Sequence, residues 1–393
     1  MKVKIGLDVL IEKEFTPLRG KKIALLCNQA SIDSQLQHVL EIMYPSHQNN
    51  FFQIEAVFGP QHGLWGHTQD NMIEWEGGTD RRTGLKIFSL YGKMRRPQSY
   101  QLQNIDLFVI DLQDVGARYY TFIWTMALCM EACQELKIPM LVLDRPNPIG
   151  GKHIEGTLLQ PEFKSFVGLY PLTQRHGMTI GEIALYLNNE YFPKLTLQVE
   201  KVIGWRREMH FPETGLIWVM PSPNMPCYDT ALVYPGMCLL EGTNLSEGRG
   251  TTRPFEIFGA PWLDGWELCS YLNRLNLPGV YIRPIQFQPT FQKYAGQICE
   301  GGFIHVTDRI AYKPVLTALA ILSEVIKRYP QKFQWKKPPY EYEYDKLPFD
   351  ILAGNDWLRK LLVEEKDLSE IEKWLLDDVE KFKETHEKYL LYE

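Results

Sequence analysis

Short apolar runs at residues 22–27, 54–58, 87–91, 107–111 and 140–144 recur with helical patterns between them, and this alternation constrains the fold more than any other feature of the chain. Several runs are almost uninterrupted, as strands buried on both faces of a parallel sheet are. Residues 34–43 and 120–136 carry apolar positions at helical spacing and serve as crossovers, so the segment reads as α/β, with a Rossmann-like, open, mainly parallel sheet. A chain of 393 residues has room for two domains. The Pro/Gly-marked stretch 145–156 is the expected boundary, dividing the chain into 1–155 and 156–393. The second part is expected to be a smaller α/β domain, with a cleft between the two. Its elements are a helix from the Thr179-Ile-Gly-Glu182 capping box through Leu187, a helix from Asp264, strands at 281–287 and 302–306, a helix from Pro314 through Arg328, and a charged amphipathic helix at 368–388.

Polar side chains gather where each apolar run ends: Asn28-Gln29, Gly59-Pro-Gln-His-Gly63, Tyr91-Gly92, Asp111-Leu-Gln-Asp114 and Asp144-Arg-Pro-Asn147. Ligands of an open parallel sheet bind beyond the carboxyl ends of its strands, where loops and helix N-termini converge. Gln61, His62, Asp111, Asp114, Asp144 and Asn147 are therefore site candidates. Each also has a structural reading, as a cap, a turn former or a hydrogen-bonded imidazole.

The stretch from Glu241 to Glu256, EGTNLSEGRGTTRPFE, is a second focus. Three carboxylates, two arginines, three glycines and several hydroxyls without hydrophobic periodicity cannot form a core element. Thr251 or Thr252 as cap and Pro254 in the first turn predict a helix start there, with Arg249 and Arg253 facing one anion. A binding site for something small, polar and partly anionic follows, expected to face the same cavity as Asp111, Asp114 and Asp144. Arg175 and His176 precede the capped helix at Thr179, and Pro221-Ser-Pro-Asn-Met-Pro226 is a rigid turn able to present Asn224.

Several function classes lack their signatures. The first strand is followed by Cys27-Asn-Gln-Ala-Ser31 instead of a glycine fingerprint or phosphate loop, so no nucleotide cofactor is expected. No GxSxG or HExxH occurs, and His62 and His67 are poorly spaced for a metal, so none is expected. The formal net charge of -6, unbroken by any basic block, argues against nucleic-acid and anionic-membrane partners. The chain opens without an apolar leader and holds no run long enough to span a bilayer, so a cytoplasmic location is expected. A small molecule is the expected partner, with no reading of oligomeric state. Ten Trp and twenty Tyr supply flat faces suited to sugar rings.

The phrases Phe58-Gly-Pro-Gln-His-Gly63, Asp111-Leu-Gln-Asp-Val-Gly116, Leu143-Asp-Arg-Pro-Asn-Pro-Ile-Gly-Gly151, Arg175-His-Gly-Met-Thr179, Pro221-Ser-Pro-Asn-Met-Pro226 and the run from Glu241 to Pro254 resemble the NamZ-type exo-β-N-acetylmuramidases, a bacterial glycosidase family, over nearly the whole chain. The resemblance implies a hydrolase that releases N-acetylmuramic acid from the non-reducing end of peptidoglycan fragments during cell-wall recycling. It gives Arg249 and Arg253 the lactyl carboxylate as their anion; the missing motifs leave no cofactor expected. The sugar's own 2-acetamido group could act as nucleophile, which leaves the protein to supply a proton donor and a group that orients the amide.

Among the carboxylates, Glu247 and Glu241 from the loop and Asp114 from the sheet are the catalytic candidates, Glu247 being preferred as the acid. Gln61, His62, Asp111, Arg118, Tyr120, Asp144, Asn147, Arg175, His176, Asn224, Asn244, Arg249 and Arg253 are the substrate-binding candidates. One departure stands out: many relatives carry Glu where this chain has Gln61, and an amide cannot deliver a proton. The alternative reading is therefore a non-catalytic binding protein for a carboxylated amino sugar or glycan.

Overall fold

The computed structural model describes residues 2–393, and among these ten strands form two sheets. β1 (Lys22–Cys27), β2 (Gln53–Gly59), β3 (Gly78–Thr79), β4 (Lys86–Ser89), β5 (Leu107–Asp111), β6 (Met140–Leu143) and β7 (Leu197–Glu200) line up in the order β3-β4-β2-β1-β5-β6-β7. Every neighbouring pair is parallel except β3 with β4. β1 lies at the centre, with β2 on one side and β5 on the other, so the strand order reverses there and a crevice opens beyond the carboxyl ends of β1, β2 and β5. Helices α1 (Gly6–Glu12), α2 (Val39–Gln48), α3 (Phe122–Leu136) and α4 (Ile180–Glu190) accompany this sheet. Most of α3 is buried, from Phe122 through Cys133, which explains its nearly continuous apolar sequence.

The second lobe holds α5 (Tyr228–Met237), β8 (Ile257–Ala260), α6 (Gly265–Arg274), β9 (Val280–Phe287), β10 (Cys299–Val306), α7 (Pro314–Arg328), α8 (Pro348–Ala353), α9 (Trp357–Val363) and α10 (Leu368–His386). Its sheet is antiparallel, in the order β8-β10-β9. The α4 capping box forms as its sequence dictates, with Thr179 N donating to Glu182 at 2.9 Å and Glu182 N donating to the Thr179 hydroxyl at 3.2 Å.

The last residues return to the first lobe. Leu391 N donates to Glu182 at 2.7 Å, Arg207 N donates to the Glu393 carbonyl at 2.8 Å, and the Tyr392 hydroxyl donates to Asp144.

Three local expectations are corrected. The helix expected at 34–43 begins only at Val39, because Asp33 accepts from Gln35 N and Gln37 N, each at 2.8 Å, and so closes a turn that a helix cannot share. No helix starts at Thr251 to Pro254. Positive φ at Gly248 (78°), Gly250 (81°) and Phe255 (64°) winds the segment into successive turns, which lead directly into β8. The first sheet also reaches past residue 155, since β7 pairs with β6; within the stretch 145–156, residues 145–151 are buried.

Candidate active site

A narrow recess opens where the crevice meets the second lobe. Its floor comes from the turn after β2. Gln61 is buried, and Thr121, immediately before α3, donates its hydroxyl to the Gln61 amide oxygen at 2.6 Å. That bond points the amide nitrogen at Glu341, 3.5 Å from its Oε1. His62, at φ 71°, bonds the Thr68 carbonyl through Nδ1 at 2.8 Å; burial lowers its pKa to about 4, so the imidazole is neutral.

Glu341 enters from the other lobe on an unusual turn. Tyr340 and Glu343 exchange backbone hydrogen bonds of 3.0 and 2.9 Å, forming a two-residue hairpin whose central residues, Glu341 and Tyr342, have φ of 45° and 66°. Positive φ at both central positions is the type I′ pattern, which ordinarily selects Asn-Gly. A side-chain pair that prefers neither conformation is held there by its contacts. Tyr91 donates its hydroxyl to Glu341 Oε2 at 2.8 Å, and Arg95 stacks 3.9 Å from the Tyr342 ring centre. Burial, opposed by the Tyr91 hydrogen bond and reinforced by the charge of Glu241, lifts the Glu341 pKa above its ordinary value.

Glu241 stands at the end of the turn that follows α5. It accepts from Arg249 Nη2 and from the Tyr340 hydroxyl, both at 2.7 Å. Burial works against its ionised form, but Arg249 prevails and holds the carboxyl below its usual value. Arg249 also lies 3.7 Å from Asp70 through Nη1 and 3.6 Å from Glu247 through Nε, so three carboxylates surround its guanidinium. The recess thus holds one carboxyl biased towards ionisation and one biased towards protonation. Such a division is what glycosidic bond cleavage requires.

Of the residues singled out in the sequence, Gln61, His62, Tyr120, Asn224, Glu241 and Arg249 line this recess together. Asn224 is fixed by an exchange with Gln69, donating to its carbonyl at 2.8 Å and accepting from its amide at 3.2 Å. Glu247 stands behind Arg249, clamped by Lys293 at 2.8 Å, and does not line the recess. Arg253 points elsewhere: its side chain is half exposed and pairs with Glu256 at 3.2 Å, so the two arginines do not share one anion.

The strand-end carboxylates are spent on the scaffold. Asp111 forms a two-bond pair with Arg145, at 2.6 and 2.8 Å. Asp144 accepts from Gly181 N at 2.7 Å and Thr179 at 2.8 Å, and burial raises it to about 7. Asp114 accepts from Gly116 N at 2.7 Å and lies 3.2 Å from His176, both side chains buried. The expectation that these three face the recess is therefore corrected, because none of them lines it.

Four further candidates are also structural. Arg118 pins three carbonyls, those of Thr157, Leu172 and Leu352, at 2.7 to 2.8 Å. Asn147 bonds Met178 O at 3.0 Å, Arg175 bonds Ile149 O at 2.7 Å, and Asn244 bonds Lys332 O at 2.9 Å. Sequence reasoning missed Asn71, Thr121, Ser222, Tyr340 and Glu341. The alternation Tyr340-Glu-Tyr-Glu-Tyr344, aromatic and acidic after two prolines, was the available signal for the last two. Among the described residues no group of three His, Cys, Asp or Glu side chains is arranged to hold a metal ion, and no helix is long and apolar enough to cross a membrane.

A polar, aromatic-walled recess with two unlike carboxyls, set between a doubly wound sheet and a second lobe, defines a carbohydrate-active α/β protein. Comparison with known proteins makes this specific. The chain belongs to the NamZ exo-β-N-acetylmuramidase family: the profile of the family's N-terminal part matches residues 23–229 and that of its C-terminal part residues 232–392. It is 43% identical over 391 residues to the peptidoglycan β-N-acetylmuramidase NamZ of Bacillus subtilis (strain 168), covering 100% of this chain and 92% of that protein. The crystal structure of a DUF1343 family protein from Bacteroides fragilis NCTC 9343 superposes with a TM-score of 0.89 at 33% identity, covering 100% of this chain and 99% of the other. A second DUF1343 structure from the same organism gives 0.75 at 28% identity, with the same coverage.

Proposed function

We propose that this chain is an exo-acting β-N-acetylmuramidase that removes N-acetylmuramic acid from the non-reducing end of peptidoglycan-derived saccharides, in cell-wall turnover and recycling. The observation that carries the reading is the presence of two carboxyls of opposite tendency, Glu241 and Glu341, beside Arg249 inside one recess. In this reading Arg249, which lines the recess, attracts the lactyl carboxylate of the sugar by its charge. Ionised Glu241 offsets the positive charge that develops at C1 as the glycosidic bond breaks, and the buried phenols exclude water from the ring. Asn224 and the amide of Gln61 bind hydroxyl or acetamido groups.

The test is incubation with 4-nitrophenyl β-N-acetylmuramide and with the N-acetylglucosaminide counterpart. Release of nitrophenol from the first in clear preference to the second is expected; hydrolysis of neither, or equal hydrolysis of both, would sink the reading. A second reading, a non-catalytic receptor for a carboxylated amino sugar, draws on Gln61, an amide on the recess floor. It predicts tight binding of N-acetylmuramic acid without turnover in the same assay. A cytoplasmic place of action is part of the first reading, and cell fractionation with activity measurement tests it.

A further inference from the structure

We propose that Glu341 is the general acid of this site, the group that protonates the glycosidic oxygen. The inference rests on the glycosidase reading and deepens it by assigning the proton. Four carboxylates lie near the recess, and their surroundings separate them; Asp70, 3.7 Å from Arg249, does not line it. Glu241 is held by the Arg249 guanidinium and the Tyr340 hydroxyl, two donors that favour the charged form. Glu247 is outside the recess, with the Lys293 ammonium at 2.8 Å. Glu341 alone lines the recess, is buried, and has no cation within ion-pair distance; Arg95, stacked on Tyr342, acts on it from further away, and burial outweighs it. Gln61, its neighbour at 3.5 Å, is an amide and has no proton to give at neutral pH.

The backbone supports the same assignment from an independent direction. Residues held in sparsely populated conformations persist where surrounding contacts over-determine them, and they gather at functional sites. Here a Glu and a Tyr occupy the two positive-φ positions of a tight hairpin that would accept Asn-Gly more readily. The consequence of that conformation is that Glu341 is delivered into the recess while Tyr340, one residue earlier, reaches Glu241. Burial then favours the neutral acid, the form that must be present before cleavage.

The step balances as follows. The Glu341 carboxyl gives its proton to the glycosidic oxygen as the bond from C1 to that oxygen breaks, with the electron pair leaving on the aglycone as a neutral alcohol. The carbonyl oxygen of the 2-acetamido group bonds to C1, giving a cyclic cation beside the Glu241 carboxylate. A water then adds to C1, its proton passes to the Glu341 carboxylate, and the acetamide is restored.

The experiment compares wild type with Glu341→Gln and Glu341→Asp on two substrates: the disaccharide N-acetylmuramyl-β-1,4-N-acetylglucosamine, whose leaving group needs a proton, and 4-nitrophenyl β-N-acetylmuramide, whose leaving group does not. Glu341→Gln is expected to lower kcat on the disaccharide at least about 100-fold and to spare the aryl glycoside largely. Glu341→Asp should recover part of the loss. Titration calorimetry with N-acetylmuramic acid shows whether the variants keep a folded site. The wild-type pH profile on the disaccharide, which needs no variant, should show an alkaline limb that is absent with the aryl glycoside. Equal losses on both substrates in a variant that still binds N-acetylmuramic acid, or identical wild-type pH profiles, would overturn the assignment while leaving the muramidase reading intact. A wild-type protein that cleaves neither substrate would overturn both.

Discussion

The Tyr91 hydroxyl, just beyond β4, donates to Oε2 of Glu341 at 2.8 Å across a sequence separation of 250 residues. This bond ties the end of the parallel sheet to the hairpin of the second lobe, and it opposes the rise in the Glu341 pKa that burial imposes. Removing the hydroxyl in Tyr91→Phe takes away a donor that favours the ionised carboxylate, so the pKa moves further up. The alkaline limb of kcat/KM on the disaccharide is expected to shift to higher pH, with a fall of less than about 10-fold at the plateau, a hydrogen bond's worth. A limb that moved to lower pH would contradict the arrangement.

Gln61→Glu places a second carboxyl 3.5 Å from Glu341, where the amide nitrogen now stands. Two carboxyls this close cannot both ionise, so they share a proton and the second ionisation is postponed. The alkaline limb of the wild-type profile is again expected to move up, and activity near pH 8 to rise relative to its value near pH 6. A pH series on the disaccharide checks it.

The two arginines of the polar loop should behave unlike each other. Arg249→Lys keeps a cation against Glu241 but loses the planar fork, and is expected to weaken N-acetylmuramic acid by about 10–100-fold and N-acetylglucosamine far less. Arg253→Ala, at a half-exposed pair outside the recess, should change neither affinity by more than about 2-fold. Calorimetry with both sugars distinguishes the cases.

Glu247→Gln removes the charge that partners Lys293 beneath the loop. A stability loss of about 1–3 kcal/mol in urea unfolding is expected, with kcat reduced far less than in Glu341→Gln. The reverse ordering of the two kcat values would return the acid role to Glu247.

Glu155 is raised to about 7 by burial, one oxygen accepting from Leu316 N at 2.8 Å and the other without a partner. A carboxyl whose folded pKa lies above its unfolded value contributes stability that is full below about pH 4 and is lost as pH rises through 7. Glu155→Gln, neutral throughout, should therefore flatten the fall in stability between pH 4 and pH 8. Urea midpoints at a series of pH values measure this.

The parallel sheet was legible because its strands are buried on both faces, and an apolar run such as Leu107–Asp111 has few other uses. The polar loop was legible as a site because its composition excludes a core element, and Glu241 and Arg249 do line the recess. What sequence could not separate were polar residues that bind a ligand from those that bind the protein. Asp111 and Gln61 both follow apolar strands, yet Arg145 consumes one while the recess takes the other. Arg249 and Arg253 are four residues apart in one loop, but the left-handed turns at Gly248, Gly250 and Phe255 send them to different places. Glu341 was hidden more deeply: its surroundings come from Gln61, Tyr91 and Glu241, and a carboxylate in a Tyr/Glu alternation has no marker until those segments meet.

Asp144 directly follows the sixth strand of the first lobe, but one of its partners, Tyr392, lies beyond α10, and Leu391 N likewise donates to Glu182. These contacts span 248 and 209 residues, so the buried carboxyls of Asp144 and Glu182 lack part of their hydrogen bonding until a segment beyond the second lobe has docked. The first lobe is closed by a strap that comes from the far side of its neighbour, and one lobe cannot be completed without the other.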